Sequence, residues 1–354
     1  MAPAIDRRRV RILAIACAAA VLTLGITLSL VRPLTSPTVA QAAPPPAEIW
    51  QRIFARPNVI PSPADNPLTP AKAALGQLLF SDPRLSGDNK RSCATCHNPA
   101  LGFSDGRPRA LGRDGASLRR HSPSLWNLAW APALYWDGRE PTLEAQARVP
   151  ISHPNEMAGD LATAAKRLNR DARLSNLFRE AFPEIGRATF DTVLGAIASY
   201  ERSLVSPPTR FDQWIDGDQS ALTGQEYRGF LLFTGRAGCL SCHGGWRFTD
   251  DRFHDIGLPT TDLGRGALPG SLSPSAPAFK TPSLRELTSS APYMHDGSKG
   301  TLDDVIAHYA GELIERPSLA ANVVRKLKLD GQQRADLVAF LKTLSSEEPP
   351  TTGN

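Results

Sequence analysis

Sulfur is scarce in this chain. Of its 354 residues, five are cysteine and three are methionine. Four of the cysteines are committed to two copies of one pattern, Cys93-Ala94-Thr95-Cys96-His97 and Cys239-Leu240-Ser241-Cys242-His243. The fifth, Cys17, lies in an N-terminal segment, so no disulfide framework is available to the folded part. A basic stripe with interleaved aromatics is also lacking, which argues against nucleic acid as a partner. The formal charge of +5 is not a property of the fold. Residues 1–42 hold five Arg and one Asp, and the rest of the chain is close to neutral.

C-x-x-C-H is the signature of c-type haem attachment. The two thiols form thioethers with the porphyrin, and the adjoining His reaches the iron from one side. A zinc site built from two C-x-x-C pairs would use the same thiols. It would leave unexplained why a His follows both second cysteines, so the pattern predicts two covalently bound haem c groups.

At the N-terminus, Arg7, Arg8, Arg9 and Arg11 precede the uncharged stretch 12–31, and Ala40-Gln41-Ala42 follows. This reads as a signal peptide with cleavage before Ala43. An uncleaved anchor is the alternative, since twenty uncharged residues suffice to span a bilayer. Either way the expected location is the periplasm. Residues 43–70 are rich in proline and read as a linker and arm. Helical patterns are predicted at 70–80, 160–182, 189–204, 223–234, 301–310 and 330–344, with a Gly/Arg/Asp-rich loop at 102–120. Pro207-Pro208 marks a boundary between a first haem domain, 71–206, and a second, 207–348. Each half runs helix, haem motif, loop, helices. The expected fold class is mostly α, two cytochrome c-like haem domains in tandem.

The residues around the motifs resemble the bacterial di-haem cytochrome c peroxidase and MauG family. The matching stretches are Leu75-Gly76 through Ser86, Ser122 to Asn127, Tyr135-Trp136-Asp137-Gly138-Arg139, Phe279 to Arg285, and Ala291 to Ser298 followed by Thr301-Leu302. The resemblance implies hydrogen peroxide chemistry at the first haem and electron transfer at the second. Certain family members carry a His sixteen residues after the first proximal His, where it blocks the iron. Here that position is Arg113, which stays protonated and is no ligand. The first iron is therefore expected to be open, with His121 or His153 as the alternative caps.

The resemblance also implies a distal proton carrier. The family places a Glu twenty residues after its Trp-Asp-Gly-Arg tryptophan, and from Trp136 this lands on Glu156. Gln146 and Pro150 match its other distal positions, and Trp136 is the implied relay between haems. At the second haem, Leu302, Val305, Ile306 and Tyr309 share one apolar helix face, from which His308 is turned by about 100°. Tyr309 matches the MauG-type sixth ligand, where peroxidases have Met. Met294 is a weaker candidate. Calcium between the domains would use the carbonyls of Ser290 and Pro292. The family's Asn ligand is replaced by His121, and imidazole is a poor calcium ligand.

These readings describe an oxidoreductase that reduces peroxide with electrons from a small redox protein, a cytochrome c or cupredoxin. The alternatives are a MauG-type oxidant acting on a protein substrate, and a non-catalytic electron carrier or peroxide sensor.

Overall fold

The computed structural model describes residues 43, 46–271 and 275–347; the expected signal segment 1–42, Cys17 included, lies outside them. Ten α-helices occur among the described residues. They are α1 (Glu48–Phe54), α2 (Pro70–Phe80), α3 (Leu143–Ser152), α4 (Leu161–Leu168), α5 (Ala172–Ala181), α6 (Phe190–Ser203), α7 (Arg210–Ile215), α8 (Gly224–Thr234), α9 (Leu302–Tyr309) and α10 (Gly331–Lys342). The described strand structure is one antiparallel pair, β1 (Phe253–His254) and β2 (Phe279–Lys280). None of the described helices is long and apolar enough to cross a membrane.

Threonine opens most of the helices that matter here. Thr69, Thr142, Thr189, Thr209, Thr223 and Thr301 each cap a helix N-terminus with the side-chain hydroxyl. Each oxygen accepts a backbone N–H that the first turn leaves unpaired, and such a cap contributes about 1 kcal/mol. The expected single helix at 160–182 is two, α4 and α5. Asp171 takes the backbone N–H groups of Arg173 and Leu174 and restarts the chain there.

Two apolar cores form, one in each half. Each is organised by a helix crossing at a glycine. A Cβ on Gly76 of α2 would lie 1.9 Å from the Ala196 carbonyl oxygen of α6. A Cβ on Gly229 of α8 would lie 2.0 Å from the Asp336 carbonyl oxygen of α10. Only a bare Cα permits so close a crossing. The same partners recur behind it: Phe80 packs on Tyr200 at 5.2 Å in one half, and Phe233 on Phe340 at 5.1 Å in the other. The halves are thus a structural repeat, with Ala196, Tyr200 and Glu201 at the places of Asp336, Phe340 and Leu341.

The 43–70 segment does more than link. Its helix α1 docks on the second core, with Phe54 fully buried and stacked on Phe248 at 4.8 Å. Arg56 reaches the Pro207 carbonyl at 3.2 Å and Asp212 at 3.3 Å. Asn66, farther along, donates to Glu144 and to the Gly195 carbonyl of the first half. Asp212 also holds Arg285 in a fully buried pair at 2.7 and 2.8 Å.

Candidate active site

A cavity of about 330 Å³ runs through the second half and up to the first, with both His97 and His243 on its wall. The two histidines are prepared alike. His97 directs Nδ1 at the Phe103 carbonyl, 2.9 Å away, and His243 directs Nδ1 at the Phe248 carbonyl, 2.8 Å away. Both phenylalanines have left-handed backbones, φ 59° and 55°, which turn their carbonyls back onto the rings. A hydrogen bond at Nδ1 fixes the tautomer and leaves the Nε2 lone pair free for a metal. Burial holds both imidazoles below their usual range and so neutral, as ligation requires.

The residues present fit a haem in each half. All four motif cysteines are free of disulfides, and burial pushes the Cys239 thiol up to about 12 and Cys93 in the same direction. The cavity wall is mainly apolar. Two buried polar atoms lack a hydrogen-bond partner among the described residues, Trp126 Nε1 and Glu201 Oε2, both in the first half. Trp126 lines the cavity. Cys242, Asp250 and His254 also converge, with ligand atoms within 4.8 Å of one another. Cys242 belongs to the second attachment motif, so this is the rim of that site and not a separate metal centre.

Superposed by the repeat, the two halves differ at the position that decides coordination. α3 and α9 both begin Thr-Leu, at Thr142-Leu143 and Thr301-Leu302. Seven residues after the leucine stand Pro150 in the first and Tyr309 in the second. Tyr309 lines the cavity that His243 faces. Burial pushes its phenol well above the ordinary value, so it stays protonated unless a cation draws the proton off. His308 is buried as well, but its Nε2 is 2.8 Å from the Ile256 carbonyl and the residue does not line the cavity. Proline offers no donor group at all. Of the alternative caps, His121 has both ring nitrogens engaged, by the Arg107 carbonyl at 2.7 Å and Ser104 Oγ at 3.2 Å, while His153 is half-exposed, does not line the cavity and has Nδ1 3.6 Å from Glu156.

Ahead of these helices each half makes the same turn. Tyr135 and Met294 both have left-handed backbones, φ 68° and 74°, and Gly138 and Gly297 close the turns at φ 67° and 66°. A non-glycine residue held there is strained, and here it is strained twice at one structural position. Trp136 and His295 follow at matching places and both line the cavity. Trp136 Nε1 donates to the His121 carbonyl at 2.9 Å, and its own carbonyl accepts from Lys280 N of β2 at 2.7 Å. Lys280 Nζ donates to Ala133 at 2.8 Å, and Arg120 grips Asp262 across the halves at 2.8 and 3.0 Å. Trp136 is therefore clasped between the two halves.

Glu156 lies in the turn after α3, one-third exposed, and does not line the cavity. Its charge is nevertheless felt at Cys96 and at the Tyr135 phenol. Burial raises its carboxyl above the ordinary range, with His153 and Arg139 opposing. Arg113 N donates to the Asn155 carbonyl at 2.7 Å, so the 102–120 loop braces this turn. Gln146 lines the cavity; Pro150, one turn on, does not. At the expected calcium position Ser290 and Pro292 reach the cavity wall, but both His121 nitrogens are already engaged. The repeat register that pairs Pro150 with Tyr309 was open to detection in the two Thr-Leu helix starts. The orphaned Glu201 carboxyl left no such trace.

Comparison with known proteins agrees with this architecture. Residues 70–220 match the di-haem cytochrome c peroxidase family and residues 227–345 match cytochrome c. The methylamine utilization protein MauG of Methylorubrum extorquens is 49% identical over 301 residues, covering 84% of this chain and 85% of that protein. Cytochrome c551 peroxidase of Pseudomonas aeruginosa is 32% identical over 293 residues, covering 80% and 81%. Among solved structures, a MauG-like protein associated with microbial copper homeostasis superposes with a TM-score of 0.76 at 32% identity, over 84% of this chain and 97% of that one. With two proximal histidines on one cavity and relatives of this likeness over most of its length, the chain belongs to the di-haem cytochrome c peroxidase and MauG family, an oxidoreductase acting on peroxide and carrying two covalently bound haem c groups.

Proposed function

We propose that hydrogen peroxide is reduced in the first half, opposite His97, and that the electrons come from a small redox protein of the cytochrome c or cupredoxin class. The observation that supports this reading is the pairing, at matching helix positions, of Pro150, which offers no donor group, with Tyr309, whose phenol lines the cavity. When bound, the first haem supplies an iron that binds peroxide and accepts its oxidising equivalents. Glu156 takes a proton from the oxygen nearer the metal and returns it to the departing one, as heterolytic cleavage requires. Burial raises its affinity for protons above that of an ordinary Glu, which favours that exchange. Gln146 fixes the orientation of peroxide, Pro150 keeps the site clear, and Trp136 passes electrons between the halves. Cys93, Cys96, Cys239 and Cys242 hold the haems, with His97, His243 and Tyr309 as iron ligands. The domains are taken as 71–206 and 207–348, and the location as the periplasm, where c-type haem is attached.

A second reading is favoured by Tyr309. A phenolate is a hard anion that stabilises oxidised iron, so the second haem would store oxidising equivalents for use on residues of a partner protein. The relative at 49% identity bears a MauG name, which supports the same reading. Steady-state peroxide consumption with reduced cytochrome c separates the two. Sustained turnover supports the peroxidase reading; a stoichiometric reaction that stops without a protein substrate supports the other. Two low-spin irons indifferent to peroxide would overturn both.

A further inference from the structure

Glu201 is a deeply buried carboxyl group that the proposed reaction leaves unused, and it keeps one oxygen, Oε2, without a partner among the described residues. It sits near the end of α6 at 4% exposure. Its neighbour Arg202 is already spent, binding Glu144 of α3 through two parallel contacts at 2.7 and 2.9 Å. An unpaired carboxylate is costly in such surroundings, so the group is held neutral. Burial raises it to about 8, with the Arg202 charge opposing and Glu144 adding to the rise.

The repeat gives Glu201 a counterpart, although Glu201 itself does not line the cavity. Its counterpart in the second half is Leu341, which lines the cavity together with Leu337. In the first half a carboxyl group replaces that leucine. Its charge is felt at Cys93, one of the two haem-linking sulfurs.

Other ionisable groups on the packed elements are engaged elsewhere: Arg148 of α3 lies over the Phe190 ring at 5.5 Å. Tyr200 shares the helix, and its phenol is pushed up to about 12. Lys72 of α2 is tied to Asn66 Oδ1 at 2.9 Å. On α4, Arg167 binds the Arg84 and Ser86 carbonyls, and Lys166 is exposed.

We propose that Glu201 compensates the charge of the first haem, its carboxylate taking up one proton when that haem gains one electron and releasing it when the haem loses one. The balance is one electron from the reductant and one proton from water per cycle. Losing a positive charge nearby favours the neutral acid, and by reciprocity the neutral acid favours the reduced haem. Leu341 cannot titrate, so the second haem lacks a carboxyl at that place; on its side the titrating group is His254, raised to about 9 beside Cys242 and Asp250. The inference rests on the first haem being bound through Cys93 and Cys96, and not on which reductant or substrate it serves.

Potentiometric titration of the haem-loaded chain, followed by absorbance over roughly pH 6 to 9, tests this by bracketing the shifted carboxyl. The first haem's midpoint should fall as pH rises, by up to about 59 mV per tenfold drop in proton concentration. The second haem's slope, to which His254 contributes, should not change on substitution at residue 201. Glu201→Gln and Glu201→Leu should both flatten the first slope, whereas a merely structural change would displace the potential equally at every pH. Should the Gln variant not fold, the Leu variant carries the side chain used at residue 341. The redox-difference infrared spectrum of the unaltered protein should also show a protonated carboxyl band that gains intensity on reduction. A level first midpoint in the unaltered protein, a slope surviving both substitutions, or absence of that band would overturn the assignment. A Glu201-dependent slope in protein indifferent to peroxide would support it while overturning the peroxide site proposed above.

Discussion

The first and second halves share a helix crossing, a haem motif, a strained turn and a threonine-capped helix. They differ in the few side chains projected from that common frame. Where the second half has Tyr309, Val305 and Leu341, the first has Pro150, Gln146 and Glu201. The second set is a phenol with apolar packing, and the first has no donor at that place and polar groups beside it. On the function proposed above, the first set suits a reacting molecule and the second suits electron transfer, where little rearranges when the charge changes.

The largest test of that contrast is to abolish it. Pro150→His supplies the donor that the first half lacks. The high-spin ferric EPR signal should disappear and peroxide reactivity should fall to background; a persisting high-spin signal would mean Pro150 does not face the iron. Next, Glu156→Gln should slow the peroxide reaction by about 10²–10⁴-fold, the usual contribution of a positioned acid–base group, read by stopped-flow absorbance. The pH profile sharpens this point. Glu156 accepts a proton only when ionised, so the rate should hold at higher pH and decline as pH falls through a value above the ordinary range for Glu. In the Gln variant that decline should vanish.

Smaller effects probe the shared frame. Arg285→Ala leaves Asp212 buried with reduced partnership and should cost about 3–5 kcal/mol in denaturant unfolding of the haem-loaded chain. Gly76→Ala and Gly229→Ala should each cost about 1–3 kcal/mol, because the added methyl meets backbone in both crossings. Equal losses would confirm that the crossings are equivalent. Glu201→Leu should raise Tm at pH 8 more than at pH 5. The carboxyl binds protons more tightly folded than unfolded, so its favourable contribution is complete at low pH and is lost as pH rises toward about 8.

Much of this was legible in the sequence because it is local chemistry. The two C-x-x-C-H motifs name their cofactor by spacing alone, and α2, α6, α8, α9 and α10 follow from apolar periodicity. Tyr309 was placed on the inward face by the same period. Helices α1, α3 and α7 escaped notice, as did the break between α4 and α5. Helix α1 hides in a proline-rich stretch and owes its place to Phe54 meeting Phe248. Helix α3 carries Pro150 in its last turn, which obscures a pattern that Thr142 nevertheless starts. The α4–α5 break depends on one aspartate. His308 was expected to turn away from the apolar face, and it is buried all the same, because the 256 carbonyl comes from a distant loop to meet it.

By itself the sequence determined the cofactor, the helical class and the tandem plan, since each is written in residues a few positions apart. Only the tertiary structure decided that Trp136 is clasped by Lys280 and β2, that Pro150 and Tyr309 occupy one position, and that Glu201 lies where a leucine would. Those facts depend on which residues meet across a helix crossing more than a hundred positions away. No local period encodes such a meeting; close packing around two glycines enforces it.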